Sequence, residues 1–389
     1  MRIIPARIAL DAAGVPFAPD YGDVYHSADG AFGQARHVFL HGTGLPGRWA
    51  GRDRFVVLET GFGLGLNFLA TWQAWRDDPA RPARLHYVAI EKHPCTGADL
   101  ASLHAQLVAP DMRAQSGELL RGWPPLTAGA HRIYLDRERI TLTLFFGEAE
   151  SVARRLALQA DAIFLDGFAP ARNPDMWSPG LFKALARLAA ADARLATWSV
   201  ARPVRDGLAA AGFSLQKLPG YGRKADMLAG NLLPRLQQLA RLHAAQAAPQ
   251  RAAAVIGAGL AGCAVAERLA ARGWEVDLIE RHAGPAQEAS GNLSGLARPM
   301  LALDDNVAAR FSRTAFLTLR RHLDALAAEA LPLVWGPRGV LQLAQDARQA
   351  AHVDAAIARQ GLPPDYVQCL DAAQVAAKLA WPLDLPGWF

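Results

Sequence analysis

Three cysteines in 389 residues, Cys95, Cys263 and Cys369, are too few and too scattered for a disulfide framework or a cysteine-based metal centre. No pair of histidines has zincin spacing either, so no metal is expected. The chain has no apolar run of membrane-spanning length and no signal-peptide pattern. The expectation is a soluble, cytoplasmic protein with no membrane partner. Lysine is scarce, and arginine supplies nearly all the positive charge behind a net +5. That excess suits a polyanionic partner, and it equally suits the alanine- and arginine-rich bias of the whole sequence.

Against these absences stand two glycine-rich loops, each after a short apolar run and each answered downstream by an acid. The second, residues 255–262, follows a strand predicted over 252–256 and expected to be buried. Gly257, Gly259 and Gly262 permit a tight turn and the close approach of a pyrophosphate. A helix through Arg272 and a strand over 276–279 follow, and Glu280 ends that strand where a carboxylate accepts both ribose hydroxyls. An acid there, rather than a basic residue, favours FAD or NAD over NADP.

The first loop has a different chemistry. A strand over 55–58 ends in Glu59, and Gly61, Gly63 and Gly65 turn the chain into a helix beginning near Asn67. An acid before the glycines repels a pyrophosphate but suits a cation such as the sulfonium and amino group of S-adenosylmethionine. The next strand, 85–90, ends in Glu91, again placed for ribose hydroxyls, and a strand over 141–146 runs into Glu148. These are successive strand ends of an open parallel sheet, where a doubly wound fold places its ligand. A plainer reading makes all three glutamates solvated acids at strand termini.

A further strand ends in Asp166, followed by the loop Gly-Phe-Ala-Pro-Ala-Arg-Asn-Pro-Asp-Met-Trp and a helix beginning near residues 178–179. An acid at that end of a strand points to the reactive end of a bound cofactor. Phe168, Pro170 and Trp177 offer a stacking wall for an extruded base. The plainer reading has Asp166 capping a turn and Trp177 in the core. Residues 1–233 read as one α/β unit, 234–250 as a helical linker ending at Pro249, and 251–389 as a second unit. Amphipathic helices over 306–330 and 346–360 read as packing elements.

Taken together, the segments 21–27, 38–49, 59–67, 166–177 and 219–224, followed by the second glycine loop and the run 289–299, resemble the family of bifunctional tRNA 5-methylaminomethyl-2-thiouridine biosynthesis proteins (MnmC) over essentially the whole chain. The resemblance implies an α/β fold. A Rossmann-like S-adenosylmethionine-dependent methyltransferase domain is followed by the start of an FAD-binding dinucleotide domain, D-amino-acid-oxidase-like. It implies tRNA as partner, at the wobble uridine, and two consecutive reactions. The flavin half removes the carboxymethyl group from 5-carboxymethylaminomethyl-2-thiouridine; the first half methylates the amine so released. It implies S-adenosylmethionine contacts from Glu59, Gly61, Gly63, Gly65, Asn67, Glu91 and Glu148. Substrate contacts fall to Phe168, Pro170, Asn173, Met176, Trp177, Tyr221 and Lys224, and FAD contacts to Gly257, Gly259, Gly262, Glu280, Ser290 and Asn292. Asp166 becomes the catalytic group, accepting or relaying the amine proton or orienting the amine. A monomer is expected.

Glu148, Tyr221 and Thr43 depart from the residues usual in the family, Asp, Phe and Asn. Only about 140 residues follow the linker, so a carboxyl-terminally truncated, incomplete oxidase half is expected, with its activity in doubt. Two other functions fit parts of the pattern. One is a small-molecule amine methyltransferase fused to an amine-oxidase-like flavin domain; the other is a non-catalytic tRNA-binding protein.

Overall fold

The apolar runs of the first unit become the middle of a mixed sheet in the computed structural model, which describes residues 2–242, 251–328, 333–335 and 339–389. A short antiparallel meander comes first, β1 (Ala9–Leu10), β2 (Pro16–Ala18) and β3 (Asp23–Val24). Eight strands then form the sheet: β4 (Arg54–Glu59), β5 (Arg84–Glu91), β6 (Gly129–Leu135), β7 (Ile140–Phe146), β8 (Ala160–Phe164), β9 (Ala189–Thr197), β10 (Phe213–Pro219) and β11 (Asp226–Leu232). Their spatial order is β10-β11-β9-β8-β4-β5-β7-β6. The five strands from β9 to β7 are parallel; at one edge β11 runs antiparallel to β9 and β10 reverses again beside it, and at the other edge β6 runs antiparallel to β7.

Parallel strands covered on both faces read as near-continuous apolar sequence, and β4 and β8 obey this: every residue of β8 and all of β4 after Arg54 are buried. From β4 the chain winds outward through β5 and β7, then crosses back to β8 on the other side. The strand order therefore reverses between β4 and β8, and the crevice at that switch point lies at the carboxyl ends of both strands. The glycine loop leaves β4 there, and Asp166 follows β8. The antiparallel β6–β7 hairpin escapes sequence reading because its turn uses Asp136, Arg137 and Glu138, all at positive φ (51°, 54° and 64°), with no glycine or asparagine to announce it.

Segment 38–49 proves structural. Residues Ala35–His41 form a π-helix, and the buried Thr43 hydroxyl donates to the Phe39 carbonyl at 2.6 Å. Arg48 donates to the Asp161 carbonyl at 3.0 Å, while Arg52 pairs with the Asp161 and Asp192 carboxylates. These arginines tie the amino-terminal half of β8 to β9.

Residues Pro299–Phe389 group with Met1–His243 into one compact unit; Ala244–Arg298 form a second. In the first unit the helix Val307–Ala328 covers the free edge of β6. Its Arg313, Thr314 and Arg321 donate to the carbonyls of Ala128, Ala130 and Arg132 at 3.1, 3.1 and 2.9 Å. Alternate carbonyls of an edge strand are thus satisfied by side chains rather than left as a template for another strand. The helix Ala347–Gln360, capped by Asp346, packs around Val353, Leu362, Val367 and Trp388. The helix Pro234–Leu242 begins the expected linker; 243–250, with Pro249, and 329–330 lie outside the described residues.

In the second unit β12 (Ala252–Ile256) pairs in parallel with β13 (Glu275–Ile279), joined by the helix Leu260–Ala270. The strand arises where the sequence predicts it, but it is not buried: Ile256 is 86% exposed and Ile279 53%. One helix cannot cover both faces of a two-stranded sheet.

Candidate functional site

A cavity of about 390 Å³ occupies the switch point between β4 and β8. Its wall includes Gly61, Gly63, Asn67, Glu91, Glu148, Asp166, Phe168, Asn173, Met176, Tyr221 and Lys224, which the sequence reading singled out. Glu59, Gly65, Pro170 and Trp177 stand outside that lining.

The glycine loop is held by the acids around it. Gly63 (φ 52°) donates its N–H to Glu91 at 2.8 Å, and the other Glu91 oxygen takes the His93 N–H at 2.8 Å. A Cβ at Gly61 would press on the Asp166 carbonyl, 3.1 Å away, so glycine suits the close pass of this loop beside β8. Glu148 caps the helix Ala149–Ala153 by accepting the Ser151 N–H at 3.1 Å.

Glu59 lies beneath the cavity rather than in it. It is 0% exposed and accepts from Asn67 at 2.7 Å and Tyr87 at 3.0 Å. Burial, and then the neighbouring Asp166 charge, hold its carboxyl well above the ordinary range. Asn67 Nδ2 donates to both acids, reaching Asp166 Oδ2 at 2.8 Å. Asp166 Oδ1 accepts the Gly167 N–H at 2.8 Å and the Trp198 indole N–H at 3.2 Å. Thr60 fixes its backbone, donating to the Asp166 carbonyl and accepting its N–H. Burial pushes the Asp166 carboxyl up to about 6, against the pull of these hydrogen bonds and of Lys224. Such a group is largely ionised at neutral pH yet basic enough to take a proton. Because Asn67 serves two buried acids, Asn67→Ala should lower stability by about 1–3 kcal/mol. Urea unfolding at pH 7.5 checks this; an unchanged midpoint would contradict it.

Aromatic rings form the rim. Phe168 stacks on Tyr21 at 4.8 Å and meets the edge of Tyr25 at 5.2 Å, while Asp23 accepts the Ala169 N–H at 2.7 Å. Trp177 is buried, as the plainer reading had it, and its indole holds the Phe168 carbonyl at 2.9 Å. Tyr221 donates to the Asp29 carbonyl at 2.8 Å. The Lys224 ammonium lies 3.4 Å from the centre of the Trp198 ring, and burial lowers its pKa against the opposing charges of Asp23 and Asp166. Tyr21, Tyr25 and Asp23 carry a sequence signal only as parts of the segment 21–27, and Trp198 lies outside every motif of the sequence. Its one sequence signal is its place directly after the end of a parallel strand, Thr197.

In the second unit Gly257 has φ 94°, and a Cβ at Gly262 would sit against the Gly257 carbonyl oxygen. Glu280 accepts the Ala258 N–H at 2.7 Å and the His282 N–H at 3.0 Å, and Ser290 accepts the Leu260 N–H at 3.1 Å. The hydrogen bonds to backbone N–H groups lower the Glu280 pKa. Asn292 is exposed.

Residues 110–232 match a family described as S-adenosyl-L-methionine-dependent methyltransferase, and residues 252–389 one described as FAD dependent oxidoreductase. The tRNA 5-methylaminomethyl-2-thiouridine biosynthesis bifunctional protein MnmC of an Azoarcus species is 52% identical over 389 residues, all of this chain and 60% of that protein. The MnmC protein of Paraburkholderia phytofirmans is 49% identical, over 100% of this chain and 59% of its own length. Over its whole length the chain is similar to these MnmC proteins. It spans about three fifths of the length of these curated MnmC relatives. Among solved structures, MnmC2 from Aquifex aeolicus is 23% identical with a TM-score of 0.47, covering 59% of this chain and 71% of that one.

S-adenosylmethionine and FAD, the cofactors of the two matched domain families, both find residues that suit them here. The cavity between β4 and β8 pairs a glycine loop with Glu91 and Glu148 at strand ends, an acidic lining that suits a cationic nucleoside. The second loop brings backbone to within contact at Gly262 and holds Glu280 ready at the end of β13. No helix among the described residues is long and apolar enough to cross a membrane, and no cluster of ligating side chains among them would hold a metal ion.

Proposed function

We propose that this chain methylates the primary amine of 5-aminomethyl-2-thiouridine at the tRNA wobble position, giving 5-methylaminomethyl-2-thiouridine. Its second glycine loop belongs to the half that, in the family, takes the carboxymethyl group off the precursor nucleoside. The observation that carries this reading is the Asp166 carboxylate in the cavity wall. Its Oδ1 is filled by two donors, and its Oδ2 takes only Asn67 among the described residues.

When bound, S-adenosylmethionine supplies a methyl group activated by its positive sulfur, and FAD a hydride acceptor. The chain's own residues do the rest. Asp166 Oδ2 accepts a hydrogen bond from the substrate ammonium and takes one proton from it, freeing the nitrogen lone pair that would then accept the methyl group. A primary alkylamine, with a pKa of roughly 10, is mostly protonated at neutral pH, so this acceptor matters. Phe168 and Tyr25 confine the base, and Asn67 and Thr60 hold Asp166 within reach of it, since small misplacements slow such transfers strongly. Arg223 and Lys224 on the rim meet phosphate or base edges of the anticodon loop. The protein acts as a cytoplasmic monomer, with its catalytic division at residues 233 and 251.

Transfer of a labelled methyl group to tRNA, compared with free 5-aminomethyl-2-thiouridine and simple alkylamines, tests the substrate class. Strong preference for tRNA is expected; equal labelling of free amines would favour a small-molecule enzyme. For the flavin loop, Gly262→Ala should lower FAD retained on the purified chain about tenfold or more, because the added Cβ meets the Gly257 carbonyl. Equal flavin absorbance in both proteins would contradict that.

A further inference from the structure

We infer that Trp198 is a positioning residue for methyl transfer, filling one oxygen of Asp166 with its indole N–H and holding the Lys224 ammonium on its ring, so that the other oxygen is left for the amine proton. The inference rests on the methyltransferase reading above and adds to it the group that selects which oxygen works.

Trp198 follows directly on β9, whose neighbour β8 runs into Asp166. Its Nε1 lies 3.2 Å from Asp166 Oδ1, the oxygen that the Gly167 N–H also reaches. Edge-to-face contact with Trp177, ring centres 6.1 Å apart at 81°, fixes the indole plane, and Trp177 is itself pinned to the Phe168 carbonyl. On the Trp198 ring sits Lys224, 3.4 Å from its centre. A cation on an indole face is held electrostatically by the ring quadrupole. One side chain therefore sets both the acid's orientation and the place of the nearest cation.

The groups that bear on Asp166 come from every element around it. Asn67 faces it from the helix Leu66–Asp77 and, behind it, Glu59 and Tyr87 from β4 and β5; Lys224 faces it from the β10–β11 connection, with Asp23 of β3 beside that lysine. Of these, Trp198 is the donor whose loss leaves the loop backbone and Asn67 in place. Removing a hydrogen bond to the charged form disfavours ionisation, so the Asp166 titration must move up.

The test uses Trp198→Phe, which keeps a ring for Lys224 and removes the N–H, and Trp198→Leu, which removes both. In protein carrying carbon-13 at aspartate carboxyls, the Asp166 resonance, identified by its loss in Asp166→Asn, is titrated alongside the pH profile of methyl-transfer kcat/KM. Trp198→Phe should raise the Asp166 midpoint and the acid limb of the profile by about half a unit to one unit. Transfer at pH 6 should then fall roughly two- to fivefold and recover above pH 8, with S-adenosylmethionine affinity unchanged. An unmoved midpoint in both folded variants, or a loss of transfer equal at every pH, would overturn the inference. A native chain that transfers no methyl to aminomethyl tRNA would sink the functional reading instead, while the titration still decides whether Trp198 governs Asp166.

Discussion

Asp166→Asn should transfer methyl groups on the order of 10³-fold more slowly than the native chain while binding S-adenosylmethionine nearly as well. The amide keeps the shape and an acceptor for the Gly167 and Trp198 N–H groups, but it cannot take a proton from the substrate amine. Glu91, Glu148 and the glycine loop are untouched, so cofactor affinity should stay within a few-fold. In the native chain kcat/KM should rise with pH through an acid limb near 6, where Asp166 ionises, and fall again as the free amine pKa is passed. The same acid has a stability signature of opposite sense. Its folded pKa, about 6, lies above its unfolded value near 3.8, so the folded state binds the extra proton between them, and its contribution to stability is lost as pH rises through that window. Asp166→Asn should therefore melt closer to, or above, the native protein at pH 7.5 than at pH 4. A variant that keeps more than a tenth of native transfer would remove Asp166 from the proton path.

The second large effect is on folding. Arg313→Ala should cost about 3–5 kcal/mol, the range for breaking a buried ion pair by removing one partner. Arg313 is 2% exposed and bonds to Asp305 at 2.9 Å and to the Ala128 carbonyl at 3.1 Å. Without it, buried Asp305 keeps, among the described residues, only the half-exposed Arg310 as a charged partner, and the edge of β6 loses a donor. Arg313→Lys should recover little, because one ammonium would have to replace Nη2, which serves Asp305 and the Ala128 carbonyl, and Nη1, which reaches Gln360. Urea unfolding followed by tryptophan fluorescence measures the difference. A loss below about 1 kcal/mol would mean the helix Val307–Ala328 adds little to the first unit.

The legible parts of this molecule were those where one residue type answers one local demand. Gly61, Gly63 and Gly65 mark a loop that passes beside β8, and Asp166 ends an apolar strand; both follow from short-range pattern, as does the capped helix after Asp346. What stayed hidden depends on partners distant in sequence. That Glu59 serves Asn67 and Tyr87 from below follows from strands 28 residues apart lying side by side. The Trp198 contact spans 32 residues and has no composition signature. The β6 hairpin carries no turn glycine, and the cover on its edge comes from a helix more than 180 residues onward, so period and propensity could reveal neither. The expected burial of β12 failed for the converse reason: the local pattern was right, but burial is a property of neighbours.

The central claim, that this cavity methylates the aminomethyl group of wobble uridine, is tested most directly by incubating the chain with labelled S-adenosylmethionine and tRNA bearing 5-aminomethyl-2-thiouridine, then digesting the tRNA to nucleosides. Label in 5-methylaminomethyl-2-thiouridine, absent with Asp166→Asn, is the predicted result. No label in that nucleoside, from a chain that binds both S-adenosylmethionine and the tRNA, would contradict it.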